Sequence, residues 1–273
     1  FCKVPAEEIT SHAWVLKASI HAQQKDYAGT LAAIDTAIEM DEKPQESWYQ
    51  LKLASHFELK QYPEAAQTLQ LMITKWPDKK TYWTQLGQIY SMLKREDKSL
   101  AVMALAYRKQ MLDTKSDIMF LSGLYANAGV PYKAAEVLEK GITDGIVEGD
   151  KRHWTMVGET WYLAEELDKA LQAFKQAGEA ASEGDIDLRR GFILVDLENW
   201  SQAQEALSMA IDKGGLNDTQ TGEAYLLRGM ARFNLGQYDA ASSDWGKASR
   251  FEKTRSAAQQ WMNHLQEERR RRA

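Results

Sequence analysis

The sequence predicts an all-α, right-handed solenoid of about seven helix–turn–helix repeats that ends in a C-terminal capping helix. The main observation is a period of about 34 residues, which is typical of stacked helix pairs. Within each period, apolar residues recur at spacings of three and four, as they do on one face of an amphipathic helix. The equivalent starting positions of the seven repeats are Trp14, Tyr49, Trp83, Ile118, Trp154, Asp187 and Tyr225.

The first helix of most repeats carries a small residue four positions after the start. Such a residue lets the two helices of a pair approach closely, because a larger side chain there would overpack the contact. The second repeat departs from this pattern with Leu53. The small residues are Ala18, Gly87, Ser122, Gly158, Gly191 and Gly229.

The second helix of most repeats is expected to follow a turn that holds an aromatic residue or proline, namely Tyr27, Tyr62, Pro131, Trp200 or Tyr238. An apolar strip then predicts the face that packs inward. Its small positions are Ala65, Ser99, Ala134, Ala170, Ala203 and Ala241. Its large positions are Ile34, Leu69, Met103, Leu138, Phe174, Leu207 and Trp245.

Prolines and glycines mark the repeat ends. Pro44 and Pro77 close two repeats, and Gly214 with Gly215 closes another. We place the seven repeats in residues 12–253 and leave residues 1–11 unassigned. Residues 254–273 form the predicted capping helix and a basic tail. The cap is expected to turn four apolar residues inward: Ala257, Ala258, Trp261 and Leu265.

The repeats resemble the tetratricopeptide repeat, in which Trp, Leu-Gly, Tyr, Ala, Phe, Ala and Pro occupy set positions. The fourth and sixth repeats match least well, because Ile118 replaces an aromatic residue and Asp187 and Arg190 replace an aromatic residue and leucine. The resemblance implies a non-catalytic scaffold that binds other proteins, as helical solenoids commonly do.

Several phrases of the chain resemble a narrower group, the periplasmic tetratricopeptide protein encoded with some Gram-negative TonB systems. This resemblance covers roughly residues 46–265 and implies a periplasmic scaffold. TonB, ExbB and ExbD are its implied protein partners in the energised outer-membrane uptake of iron carriers. The phrases are 82–86 (Tyr-Trp-Thr-Gln-Leu), 106–108 (Ala-Tyr-Arg), 131–135 (Pro-Tyr-Lys-Ala-Ala), 138–142 (Leu-Glu-Lys-Gly-Ile), 212–216 (Asp-Lys-Gly-Gly-Leu) and 252–254 (Glu-Lys-Thr).

Two other functions stay open at this point: a general scaffold for envelope or pilus assembly, and the regulatory repeat module of a longer protein. The periplasmic location rests on the resemblance, since no charged segment followed by an apolar run marks a signal peptide in this chain. The chain begins at Phe1, and we leave open whether a signal, an anchor or a further domain precedes it.

No motif for catalysis, a cofactor or a metal is found. The five histidines lack the spacing of a metal site, so we interpret His21 and His56 as packing residues. Gly141, Gly145 and Gly149 lack the lysine and serine or threonine of a phosphate loop, and are interpreted as a long turn between repeats. Cys2 is a single cysteine and cannot form an internal disulfide.

The charge and the hydropathy of the chain argue against nucleic-acid binding and against a membrane-spanning segment. The formal net charge of −5 argues against nucleic acid. No run of about 18 apolar residues predicts a membrane span. The four arginines at 269–272 are interpreted as the solvated end of a helix, although acidic lipid is an alternative partner for them.

By analogy with the family, the first helix of each pair lines a concave groove. The groove positions are mostly small and polar in the second to fourth repeats and more apolar in the fifth to seventh. We therefore predict that an apolar peptide or an amphipathic helix docks across repeats five to seven. The alternative, that the capping helix or tighter coiling already covers this strip, stays open. The predicted partner-binding residues are Tyr162, Leu188, Phe192, Val195, Leu226, Met230 and Phe233.

Overall fold

The structure is a computed structural model that describes residues 10–272, apart from the side chain of Arg272. Within that range it contains fifteen α-helices and no strand, which confirms the all-α repeat class predicted from the sequence. Cys2 and the rest of residues 1–9 lie outside the described residues. The limits assigned to the repeats and the cap stay a prediction.

Fourteen helices form seven successive helix–turn–helix segments, and a fifteenth follows them in the described range. The first seven helices are α1 (Ser11–Gln23), α2 (Tyr27–Met40), α3 (Glu46–Glu58), α4 (Tyr62–Lys75), α5 (Lys80–Met92), α6 (Glu96–Arg108) and α7 (Lys115–Asn127). The others are α8 (Pro131–Thr143), α9 (Lys151–Leu163), α10 (Leu167–Glu179), α11 (Asp185–Asp196), α12 (Trp200–Lys213), α13 (Asp218–Asn234), α14 (Tyr238–Ala248) and α15 (Arg255–Arg272).

The chain divides into two compact units, with the boundary between Leu124 and Tyr125 in α7. The described part of the first unit contains the pairs α1/α2, α3/α4 and α5/α6 and most of α7. The second unit contains the end of α7, α8, the pairs α9/α10, α11/α12 and α13/α14, and then α15.

Four helix pairs close over the predicted glycine, at Gly87, Gly158, Gly191 and Gly229. A Cβ atom added at Gly158 would lie 2.7 Å from the ring of Phe174, and one added at Gly229 would lie 2.4 Å from the Nε1 atom of Trp245. Such distances are shorter than van der Waals contact, so the glycine is required for the observed packing. The prediction of close approach at these positions is confirmed.

The predicted inward face of the second helices is confirmed throughout the repeats. All seven large residues of that face are 0–1% exposed, and the small residues before them are equally buried. The aromatic residues and the proline expected in the preceding turns instead begin the helices themselves, because the turns are shorter than expected. Most of these turns contain a residue with positive φ, such as Lys60 or Glu165.

The long turn between the fourth and fifth repeats is observed, with one correction. Gly145 follows α8 with a φ of +74°, which suits glycine. Gly149 precedes α9, but Gly141 lies buried inside α8 because that helix continues to Thr143. Gly214 ends α12 as predicted, with a φ of +69°.

Successive pairs stack through the first helix. Ile89 of α5 is 1% exposed and packs with Ala66 and Leu69 of the preceding second helix, α4. The equivalent residue of α1 is Ile20, which is 45% exposed because the described residues before it supply no such helix. Leu16, one turn earlier in α1, is 61% exposed.

The same substitution at these two equivalent positions should therefore have different costs. Ile89→Ala is expected to lower the free energy of unfolding by about 2–5 kcal/mol, because it leaves a cavity in a closed core. Ile20→Ala is expected to cost less than about 1 kcal/mol, since half of that side chain is already in water. Urea denaturation followed by circular dichroism measures both values, and equal costs would contradict the stacking described.

The glycine contacts give a second prediction. Gly229→Ala and Gly87→Ala gain the same helix propensity, about 1 kcal/mol, so the difference between them reports packing. Gly229→Ala is expected to be the less stable variant by about 1–2 kcal/mol, because the Trp245 ring is rigid whereas Met103, which faces Gly87, is flexible. Thermal melts of both proteins would measure this, and the reverse order would contradict it.

Candidate functional site

The predicted binding strip belongs to three first helices of the second unit, α9, α11 and α13. The structure places its seven residues in three different environments. Tyr162 of α9 and Phe192 of α11 are exposed. The other five residues are partly or fully covered by neighbouring helices. As binding residues, all seven stay a prediction.

Two residues of α11 face the core instead of solvent. Leu188 is 3% exposed and Val195 is 8% exposed, and both belong to a cluster with Ala206, Leu207 and Ala224 of the following helices. For these two residues the structure has the covered arrangement, the alternative that the sequence left open. Leu188 and Val195 are seven residues apart, so they lie on the same face of α11. This face packs against the neighbouring helices.

The capping helix covers the part of the strip on α13. Leu226, Met230 and Phe233 are half-buried and pack against the cluster formed by α14 and α15. The ring of Phe233 lies 5.8 Å from that of Trp261 and 5.5 Å from that of His264. The sequence left open whether the strip is exposed or covered by the capping helix. On α13 the structure has the strip covered by the cap.

The inward-facing residues of the cap follow the prediction. Ala258 and Leu265 are buried, and Trp261 stacks on Trp245 with ring centroids 5.4 Å apart. Ala257 is half-buried. The apolar face of α15 thus packs against the last helix pair and covers the apolar end of the repeat array.

An exposed apolar patch remains on α9 and α11. It consists of Tyr162, Leu163 and Phe192, which are 46%, 71% and 38% exposed. We call these three residues the α9/α11 patch. Exposed aromatic and aliphatic side chains that lie together are typical of interaction sites.

Two ion pairs link α9 and α11 beside the patch. Lys151 Nζ contacts Asp185 Oδ1 at 2.9 Å, and Arg189 Nη1 contacts Glu159 Oε1 at 2.6 Å. Tyr162 and Phe192 each lie three residues beyond one member of the second pair, so they come one helical turn further along neighbouring helices. The sequence gave no signal that Arg189 would bind Glu159.

A cleft adjoins Phe192 between α11 and α13. It is lined by Asp185, Ile186, Leu188, Arg189, Phe192, Gln220 and Glu223. The lining combines apolar side chains with the charged side chains of Asp185, Arg189 and Glu223. Glu223 was not predicted as a site residue, because it lies two residues before Tyr225, the starting position of the seventh repeat.

Lys169 lies near the patch but is held by other groups. Its Nζ atom is 4.3 Å from the ring centroid of Trp161 and 4.5 Å from that of Tyr132, and it donates to the Tyr132 hydroxyl at 3.2 Å. That hydrogen bond holds the pKa of Lys169 above its usual range. The ammonium group therefore stays charged and is engaged with aromatic rings.

A buried carboxylate anchors α11. Asp187 is 0% exposed; it accepts from Arg190 Nη1 at 3.0 Å and from Lys213 Nζ at 2.6 Å. Lys213 also donates to the carbonyl of Gly178 at 2.7 Å, which joins α12 to α10. The two departures from the repeat pattern, Asp187 and Arg190, thus compensate for each other, because a buried charge requires a partner.

A second buried carboxylate anchors α13. Asp244 of α14 is 1% exposed, and Arg228 binds both of its oxygens, at 2.8 Å and 2.9 Å. Arg232 Nη1 donates to the same carboxylate at 2.8 Å. A bidentate pair of this kind fixes geometry as well as charge.

Nothing in the described residues forms a metal centre. No group of three or more His, Cys, Asp or Glu side chains is placed to hold an ion within residues 10–272. His21 Nδ1 lies 2.8 Å from Asp26 Oδ2, and His56 Nδ1 lies 2.9 Å from Gln61 Oε1. Both histidines thus hydrogen-bond across the turn of their own repeat. Over the same residues, no helix is both long enough and apolar enough to cross a bilayer.

The comparisons with known proteins agree with this architecture. Residues 188–258 match the sequence model of the tetratricopeptide repeat. The described residues thus form an all-α solenoid, and its residues 188–258 match the tetratricopeptide repeat. Solenoids of this type are generally non-catalytic interaction modules. No curated protein matches the sequence.

Three solved structures illustrate the likeness. The chain is similar to Naa15/Naa10 bound to HypK-THB, with 13% identity, 93% of this chain and 39% of that chain covered, and a TM-score of 0.62. It resembles MamA at 18% identity, covering 65% and 94%, with a TM-score of 0.45. It resembles the TPR2AB domain of yeast Sti1 in complex with pHSP90 at 13% identity, covering 93% and 96%, with a TM-score of 0.46. At such identities the likeness concerns the fold alone.

The buried carboxylates give a third prediction. Asp244→Ala is expected to destabilise the protein by about 3–5 kcal/mol, because it leaves two guanidinium groups without their buried partner. Asp239→Ala is the matched control on the same helix. Asp239 is 98% exposed in its pair with Arg269, so its loss should leave stability unchanged. Denaturant titrations of both variants test this, and equal effects would show that burial does not control the contribution.

Proposed function

We propose that this protein is a periplasmic scaffold that binds components of a TonB–ExbB–ExbD system for energised uptake of iron carriers across the outer membrane. The general part, a repeat solenoid suited to binding proteins, follows from the fold. The choice of system and compartment is supported by the phrases between residues 46 and 265 that resemble the TonB-associated group. Fold alone does not fix this choice.

The observation that carries the binding role is the α9/α11 patch. The seven large residues on the inward face of the second helices are buried in the core, whereas Tyr162, Leu163 and Phe192 are exposed to solvent. Their helices are fixed by ion pairs and by the buried carboxylate Asp187. A rigid surface that presents aromatic anchors loses little side-chain entropy on binding, which favours a specific partner.

A pull-down from detergent-solubilised envelopes tests the proposal. The bait is the protein itself, compared with Tyr162→Glu/Phe192→Glu. We expect the unchanged protein to recover TonB, ExbB or ExbD and the double variant to lose them, because a buried carboxylate without a partner disfavours the complex. Phe233 is left unchanged, since its contacts with the cap would confuse binding with stability.

Leu105→Glu is the matched control. Leu105 is 45% exposed on α6, close to the 46% of Tyr162, and lies in the other unit. It should keep the partners, and circular dichroism should show equal helicity in all three proteins. Recovery by both variants would keep the scaffold and reject the patch. Recovery of other envelope or pilus proteins, without TonB components, would favour the general assembly scaffold.

A further inference from the structure

We infer that the α9/α11 patch selects a positively charged partner segment, one that carries lysine or arginine beside one or two large apolar side chains. This inference rests on the proposed function, because it assigns a chemical class to the partner of the same surface. It starts from the charges that surround the three apolar residues.

The carboxylates beside the patch have no cation of their own. Asp196 is exposed at the end of α11, four residues after Phe192, and so lies on the same side of that helix. Glu223 lines the cleft into which Phe192 projects. Neither Asp196 nor Glu223 forms an ion pair within residues 10–272. Asp196 is exposed and Glu223 is half-buried, so each can receive a cation brought by a partner.

The neighbouring cations are already engaged. Arg189 pairs with Glu159 at 2.6 Å, and Lys151 pairs with Asp185 at 2.9 Å. Lys169 lies against two aromatic rings and 3.5 Å from Glu166. These three cations are thus held by groups of this chain, whereas Asp196 and Glu223 have no such ion pair within residues 10–272.

The geometry separates the apolar and the acidic parts of the surface. Tyr162, Leu163 and Phe192 provide the apolar contact, while Asp196 and Glu223 lie along α11 and across the cleft on α13. An acidic partner would be repelled here, and a neutral apolar one would bury the carboxylates unpaired, which is unfavourable. A basic segment with an apolar anchor satisfies both parts.

The charge at the turns beside the patch has the same sign. The positive-φ residues that follow α9 and α11 are Glu165 and Glu198. The equivalent residues that follow α1, α3 and α5 in the first unit are Lys25, Lys60 and Lys94. The acidic character thus belongs to the repeats that carry the patch and is not a general property of the turn.

Fluorescence anisotropy with two labelled peptides tests this inference. The first is a 14-residue amphipathic peptide with leucine and tryptophan on one face and lysine at every flanking position. The second is identical except that glutamate replaces each lysine. We expect the lysine peptide to bind the full chain and to bind more weakly as salt is raised, and the glutamate peptide not to bind.

The variant Asp196→Asn/Glu223→Gln removes both charges and preserves size. It is expected to weaken binding of the lysine peptide about tenfold, since two partly exposed charge contacts are lost. Glu58→Gln is the matched control, because Glu58 occupies the position in α3 that Asp196 occupies in α11. It should change the affinity less than twofold. Thermal melts check that the variants keep the native stability.

Three results would overturn the inference: no binding of the lysine peptide, equal binding of both peptides, or equal affinity for the unchanged protein and the double variant. The envelope pull-down separates this failure from failure of the proposed function. If Tyr162→Glu/Phe192→Glu loses its partners but Asp196→Asn/Glu223→Gln keeps them at full yield, the scaffold role stands and charge selection is wrong.

Discussion

Close contact between the two helices of each pair is the constraint on which the rest of the structure depends. A glycine or another small residue on the first helix receives a large side chain from the second, as Gly158 receives Phe174 and Gly229 receives Trp245. Because this contact recurs with the repeat period, it fixes which face of every second helix is buried. What remains for function is the face of the first helices that no neighbour covers.

Buried ion pairs hold together the helices of the sixth and seventh repeats. In the sixth repeat, Asp187 occupies the position that is aromatic in most repeats, and Arg190 and Lys213 neutralise it. In the seventh, Asp244 receives two arginines from α13. These networks hold the helices that carry the candidate site, and they require exact geometry, since removing one partner leaves a costly buried charge. The departure of the sixth repeat from the sequence pattern is thus compensated by buried ion pairs.

The candidate site is small because most residues of the predicted strip are covered by other helices. Leu226, Met230 and Phe233 pack against the cluster that contains the cap, and Leu188 and Val195 are buried in the core. The three apolar residues left on α9 and α11 lie among carboxylates, which gives the surface a chemical preference as well as an apolar anchor. A scaffold that binds through such a surface discriminates partners by charge and retains them by apolar contact.

The sequence by itself determined the number and order of the helices, because its period and its apolar spacing reflect local geometry that every repeat shares. It also identified the buried series that ends in Trp245 and the cap residues Ala258 and Leu265. Only the tertiary structure decided which groove positions stay exposed, since Phe233 is exposed or covered according to where α15 lies. The pairing of Arg189 with Glu159 was likewise invisible, because these residues of neighbouring repeats meet only when the repeats stack. The pairing of Asp187 with Lys213 was invisible as well, because it requires the two helices of the sixth repeat to pack together.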